Sequence, residues 1–273
     1  MKTDLIYGVE DRPPFKDALF AALQHLLAIF VAIITPPLII AGALKLDVEK
    51  TSFLVSMSLF ASGVSTFIQC RRIGPIGARL LCIQGTSFSF IGPIIATGLV
   101  GGLPLIFGSC IAAAPIEMVV SRTFKYLRNI ITPLVSGIVV LLIGLSLIKV
   151  GIVSCGGGYS AMDDGSFGSW ENLSIAALVL LSVLFFNRCK NKYLRMSSIV
   201  FGLCLGYGLA FALGKVNMSA LNVEMLMSFN IPQPFKYGVD FNISSFIAIG
   251  LVYLITAIEA TGDVTANSMI SGL

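Results

Sequence analysis

Two carboxylates stand four residues apart in Glu259-Ala260-Thr261-Gly262-Asp263. On a helix that spacing puts both on one face, about a turn apart. Two acids together in a low-dielectric setting cannot both ionise cheaply, which suits a carboxylate that takes up and releases a proton. A carboxylate also accepts the N–H groups of a planar heterocycle. The alternative is a helix that stops here and leaves both acids in water. Against it, Glu259 follows the uncharged run Phe241–Ile258, and no basic residue between Thr265 and Leu273 marks a membrane boundary.

A second group is Gln84-Gly85-Thr86-Ser87-Phe88-Ser89-Phe90, followed by Ile91-Gly92-Pro93. Glycine, hydroxyl and aromatic residues crowded together make poor helix and plausible strand. Pro93 suits the start of a new helix. The pattern predicts extended backbone over Ile83–Phe90 and a half-helix over Pro93–Val100; a kinked ordinary helix is the alternative. His25 is the sole histidine and lies in an apolar run, so it should face protein, either as a packed side chain or in a polar network. Ala32, seven residues on, shares its face and is small enough to admit a ligand to the backbone. Glu117 lies near Arg122, which suggests an interfacial acid or a structural pair.

The elements that must position these groups are membrane spans. Of 273 residues, 56% are hydrophobic and 12% charged, about half the charge usual in soluble domains. A spanning helix needs about 20 apolar residues. Suitable runs are Ala18–Leu44, Thr51–Cys70, Leu80–Ile116, Asn129–Ile148, Asn172–Asn187, Met196–Gly214 and Phe241–Ile258. Leu80–Ile116 is long enough for two, divided near Gly98–Pro104. Eight spans result.

Orientation follows from the basic residues. With the N-terminus in the cytoplasm, inner loops hold Lys2, Arg12 and Lys16; Arg71, Arg72 and Arg79; Arg122, Lys125 and Arg128; and Arg188, Lys190, Lys192 and Arg195. Outer loops hold only Lys45, Lys50, Lys149, Lys215 and Lys236. The glycine-rich outer loop Gly151–Glu171 lacks the lysine of a phosphate loop and reads as turns. The outer stretch Lys215–Asp240, with Pro232-Gln233-Pro234, reads as an extended connector. The six cysteines form no CxxC pair and read as small core residues, so no metal is expected. No basic stripe with interleaved aromatics points to nucleic acid.

Gln24-His25, the hydroxyl–Phe-Ser-Phe stretch before Gly92-Pro93, and Glu259–Asp263, in this order and at these separations, resemble the nucleobase–ascorbate transporter family of uracil and xanthine permeases. The resemblance implies an all-α integral membrane protein with fourteen spans in two inverted repeats of seven. It implies a core domain of spans 1–4 and 8–11 and a gate domain of spans 5–7 and 12–14. Short strands in spans 3 and 10 then meet at mid-membrane, and the base binds between them and span 8. On this chain that gives a cytoplasmic N-terminus over 1–17, core spans over 18–121, gate spans over 122–214, an extracytoplasmic loop over 215–240 and core span 8 over 241–273. Phe88 would present its backbone and ring to the base, Glu259 would accept base N–H groups, and Ala32 and Ser89 would lie beside the ligand. His25 and Asp263 would belong to the polar, proton-coupling network. Aspartate at 263, where uracil permeases have histidine, points to the xanthine and uric acid branch. Protons are the implied coupling ion, with no other cofactor. The implied location is the plasma membrane, the inner membrane of a bacterium, with a homodimer formed through the gate domain.

Other readings are a permease for uracil or an anion on a similar inverted-repeat fold, a non-transporting membrane scaffold, and an intramembrane serine hydrolase using Ser87 or Ser89 with His25. The hydrolase lacks a Gly-x-Ser-x-Gly elbow. The family's second strand and its Asn-x-Gly-x-x-x-x-Thr motif should lie beyond Leu273, so the strand at Ile83–Phe90 would lack a partner and the chain reads as truncated. The expectation is that these 273 residues alone do not transport. Labelled-purine uptake by cells making only this chain would overturn it.

Overall fold

A computed structural model describes residues 7, 8, 10–127, 133–190, 194, 195, 197–216 and 231–271. Among them run α1 (Phe15–Ala43), α2 (Val48–Arg71), a 3-10 turn (Phe88–Phe90), α3 (Ile91–Leu127), α4 (Pro133–Cys155), α5 (Gly158–Asp163), α6 (Trp170–Asn187), α7 (Ser198–Ala212) and α8 (Ile243–Ile270). No sheet occurs among the described residues; one isolated bridge joins Ile73 and Ile76. The predicted spans coincide with helices or arms of α3 wherever they are described, except the third, whose part over 80–87 is not helical. Among the described residues, four stretches are long and apolar enough to cross a membrane: Val48–Arg71, Phe88–Thr123, Trp170–Asn187 and Ile243–Thr265. Ile29–Ala43 and Ser198–Ala212 are shorter apolar helices. Leu180, Leu181, Leu184 and Phe185 on α6 are all more than half exposed, as suits a surface whose solvent is lipid.

The helix ends follow local chemistry. Asp47 caps α2: its carboxylate accepts from the backbone N–H of Lys50 at 2.8 Å and from the Lys50 ammonium at 2.6 Å. The ammonium bond holds the Asp47 carboxyl below the usual range. Asn242 caps α8, accepting from Ser244 N at 2.8 Å. α3 is two arms joined where Gly101 and Gly102 leave helical geometry, Gly102 at φ +64, within the division predicted at Gly98–Pro104. Only glycine holds that conformation without strain.

The chain divides into two compact units, one of Met1–Arg12, Ala32–Leu147 and Pro232–Leu273, the other of Pro13–Val31 and Ile148–Ile231. In the first, α8 packs along α3, with Ile249 and Ser109 fully buried. The connection before α8 lies directly on α3: Asp240 N donates to Pro104 O at 3.0 Å, and a Cβ on Gly108 would stand 1.7 Å from Asp240 O. In the second unit, Gly202 and Gly206 let α7 meet α6; added Cβ atoms would stand 2.6 Å from Val183 and 2.4 Å from Val179. This is the small-xxx-small contact of membrane helices. Buried Asn172 ties the loop before α6, donating to Gly156 O at 2.9 Å and Ser166 O at 3.0 Å and accepting from Lys215 Nζ at 2.8 Å.

Several expectations are corrected. Extended backbone stops at Ser87, and Phe88–Phe90 is a 3-10 turn, because the Ser87 side chain accepts from Ser89 N at 3.3 Å and starts the helical winding early. The helix therefore begins at Ile91, ahead of Pro93. α8 continues past the apolar run that ends at Ile258 and reaches Ile270, so Glu259 and Asp263 lie inside a helix, as their paired reading requires. The loop Gly151–Glu171 contains α5 and the Asn172 hub. Pro232–Tyr237 is a folded turn, with Lys236 N donating to Gln233 O at 3.3 Å. The cysteines are free thiols, partly or largely exposed rather than buried in a core. Residues 1–6 with Lys2, residues 128–132 with Arg128 and the start of the fifth span, Lys192, and 217–230 of the long outer loop lie outside the described residues.

Two outcomes follow for stability. Gly108→Ala should cost about 3 kcal/mol by overpacking against a backbone oxygen. Gly63→Ala, where nothing lies within 4 Å, should stabilise by up to about 1 kcal/mol. Thermal unfolding of the detergent-purified protein should thus move in opposite directions for one chemical change. Asn172→Leu should lower stability by about 2–3 kcal/mol through the carbonyls and ammonium it strands.

Candidate functional site

The site begins with a proline pair. Pro36 and Pro37 lie inside α1 and have no N–H, so the carbonyls four residues back, on Ala32 and Ile33, lose their helical donors. Thr86 Oγ1 donates to both, at 3.1 Å to Ala32 O and 3.0 Å to Ile33 O. Thr86 belongs to the extended stretch between α2 and the turn, whose peptide groups need partners too. Gln84 N donates to Thr66 Oγ1 at 2.9 Å, and Gln84 O accepts from Ser62 Oγ. Leu81 O accepts from Asn267 Nδ2 on α8 at 2.9 Å. Hydroxyl and amide side chains supply these bonds where the sequence reading expected only a second strand to do so.

Aromatic packing then fixes the turn against α8. The Phe90 ring meets Tyr253 edge-on at 5.0 Å, and the Tyr253 hydroxyl donates to Cys110 O at 3.3 Å, linking α8 to α3. This places Glu259 beside the turn. Ser87 Oγ and Ser89 Oγ each donate to Glu259 Oε2 at 3.4 Å. Both bonds use one carboxylate oxygen; Oε1 accepts from none of the described residues. The Phe88 N–H, at the N-terminal end of the winding into α3, also has no acceptor among them. A half-buried carboxylate oxygen, a free N–H at a helix start and the half-buried Phe88 ring offer an acceptor, a donor and a flat face.

The structure thus brings Ser89 to Glu259, leaves Phe88 in the chain between the two serines, and ties Ala32 O to the neighbouring Thr86. Asp263, one turn beyond Glu259, is exposed and makes no ion pair among the described residues. His25 belongs to the second compact unit, where it is exposed and without a hydrogen bond or ion pair among the described residues. Glu117 does not pair with Arg122. It is half-buried and lines a groove of about 270 Å³ with Ser121, Thr261 and Thr265. Among the described residues no three His, Cys, Asp or Glu side chains converge as metal ligands.

Sequence reasoning missed Thr86 as a bond to α1, and Ser62, Thr66 and Asn267 as partners of the extended stretch. A signal existed for some of these. Pro36-Pro37 announces two orphaned carbonyls, and Ser62 and Thr66 repeat at i, i+4 in an apolar helix. Nothing in the sequence paired them with Thr86 or Gln84.

Comparison with known proteins gives the family. The Permease family matches residues 16–273. Xanthine permease XanP of Escherichia coli (strain K12) is 47% identical over 280 residues, covering 98% of this chain and 60% of that protein. Xanthine permease XanQ of the same organism is also 47% identical, with 98% and 59% covered. Uric acid permease PucJ of Bacillus subtilis (strain 168) is 34% identical, with 92% and 56% covered. The chain therefore spans about 60% of the length of these relatives. With a family match running over nearly the whole chain, this multi-pass membrane protein belongs to the Permease family.

Proposed function

We propose that this protein acts in the secondary transport of a purine nucleobase, xanthine or uric acid, coupled to protons. The observation that carries the reading is the Glu259 carboxylate, held through Oε2 alone by Ser87 and Ser89 beside a broken helix. An oxidised purine carries N–H donors and C=O acceptors in one plane. Glu259 Oε1 accepts its N–H, the Phe88 N–H donates to its carbonyl, and the Phe88 ring covers its face. Ser89 and the Ala32 region close the site. The relatives named as xanthine and uric acid permeases support this cargo.

Proton coupling rests on Glu259 and Asp263, one turn apart on α8, with His25 in the wider polar network. In the same reading, spans 1–4 and 8 form a core and spans 5–7 a gate. The N-terminus lies in the cytoplasm, the membrane is the plasma membrane, and two copies meet through the gate.

Uracil is the second cargo considered. It offers the same donor–acceptor edge, and Asp263 in place of histidine favours the purine. A serine hydrolase finds less support: Ser87 and Ser89 donate to Glu259, and neither bonds His25 among the described residues. The relatives are named as permeases.

Equilibrium binding of labelled xanthine to membranes carrying the protein tests the site. Glu259→Gln should weaken binding about 10- to 100-fold by loss of a charge-assisted hydrogen bond. Ser87→Ala and Ser89→Ala should each weaken it several-fold, because each helps orient the carboxylate. Unchanged binding in Glu259→Gln would sink the reading, and tighter binding of uracil than xanthine would replace the cargo.

A further inference from the structure

The turn ahead of α8 is tightly made. Lys236 N donates to Gln233 O at 3.3 Å and Gly238 N to Phe235 O at 2.9 Å. Phe235 sits at φ +61, a left-handed conformation that a bulky aromatic residue rarely holds. The turn brings Lys236 and Tyr237 to a cleft of about 530 Å³ walled by Phe53 and Met57 of α2 and Phe107 and Ile111 of α3. Lys236 Nζ stands 4.3 Å from the centre of the Phe53 ring and 3.7 Å from Glu49 Oε1. Tyr237 stacks on Phe107, with centroids 6.2 Å apart, and its buried hydroxyl has no hydrogen-bond partner among the described residues. Neither the cleft nor this hydroxyl has a part in the site at Glu259.

Depth identifies the environment. Asp47, Glu49 and Lys50 mark the water boundary at the start of α2. Met57 lies nine residues in from Val48, about 14 Å along the helix axis. The cleft therefore runs from headgroup level into the hydrocarbon. Aromatic side chains and a lysine at its mouth match the composition of a membrane interface.

We infer that this cleft binds a zwitterionic phospholipid, with the phosphate on Lys236 and Tyr237, the ammonium on Glu49 and an acyl chain between α2 and α3. The rim decides the headgroup. The lining Lys236 is paired with Glu49, a cation beside an anion, so the mouth complements a head carrying both charges better than an anionic one. The orphaned Tyr237 hydroxyl is closed to water, and a shift of its ring toward the cleft supplies a second donor to the phosphate beside the ammonium of Lys236. The apolar wall decides the rest. A flat two-ring heterocycle would leave much of 530 Å³ empty and would meet few polar partners, whereas an acyl chain needs none.

Native mass spectrometry of the delipidated, detergent-purified chain tests this with phosphatidylethanolamine and phosphatidylglycerol of identical acyl chains. The expected result is about tenfold tighter binding of phosphatidylethanolamine. Lys236→Gln should weaken it about tenfold and Tyr237→Phe several-fold, while Lys149→Gln leaves it unchanged. A phosphatidylethanolamine with a photoreactive acyl chain should label the peptides holding Met57 and Ile111 in the unmodified protein, so the test survives a variant that fails to fold. Equal binding of the two lipids, full binding by a folded Lys236→Gln protein, labelling confined to other helices, or displacement of the lipid by xanthine would each overturn the inference.

Discussion

A peptide group inside hydrocarbon must find its hydrogen-bond partner within the protein, because no water is there to take its place. The first compact unit is arranged around that constraint. α1 loses two donors at Pro36 and Pro37, and the chain between α2 and α3 leaves the helix altogether from Arg72 to Ser87. The two irregularities are answered together. Thr86 serves the carbonyls of Ala32 and Ile33, while Ser62 and Thr66 serve Gln84. Thr86 of one break serves the carbonyls left bare by the other, and side chains of α2 and α8 serve part of the extended backbone in turn.

The candidate site follows from how the chain resumes its helix. A 3-10 turn at Phe88–Phe90 winds the extended stretch into α3, and the Phe90–Tyr253 contact presses that turn onto α8. Glu259 then meets two serine hydroxyls through a single oxygen. The arrangement orients a carboxylate while leaving it capacity to accept. It also sets nearby an N–H at a helix start that has no acceptor among the described residues, so the break leaves polar groups of the kind that hold ligands in broken membrane helices.

The second unit solves a different problem, that of bringing two apolar helices together when lipid is as apolar as they are. Glycine spacing does this in Gly202-Leu203-Cys204-Leu205-Gly206, where missing side chains admit Val179 and Val183. At the polar end of the same pair, Asn172 collects two loop carbonyls and a lysine. A loop that reads as plain glycine-rich turns is thereby fixed, and it includes a short helix.

The positions of most apolar helices, the extended break around Gln84, the division of α3 at its glycines and the placing of Glu259 and Asp263 a turn apart were legible in the sequence. Uncharged length, glycine and an intramembrane acid each carry their cost locally. The same local reasoning placed the helix start two residues late and ended the last apolar run at Ile258. Ser87 capping at the turn and the packing of α8 on α3 override local preference at both points. Which hydroxyl serves which carbonyl was decided only by the tertiary structure. Thr86 meets Ala32 across 54 residues, and Ser87 meets Glu259 across 172. A sequence lists donors and acceptors one by one, but a hydrogen bond exists only where folding brings two of them within about 3 Å.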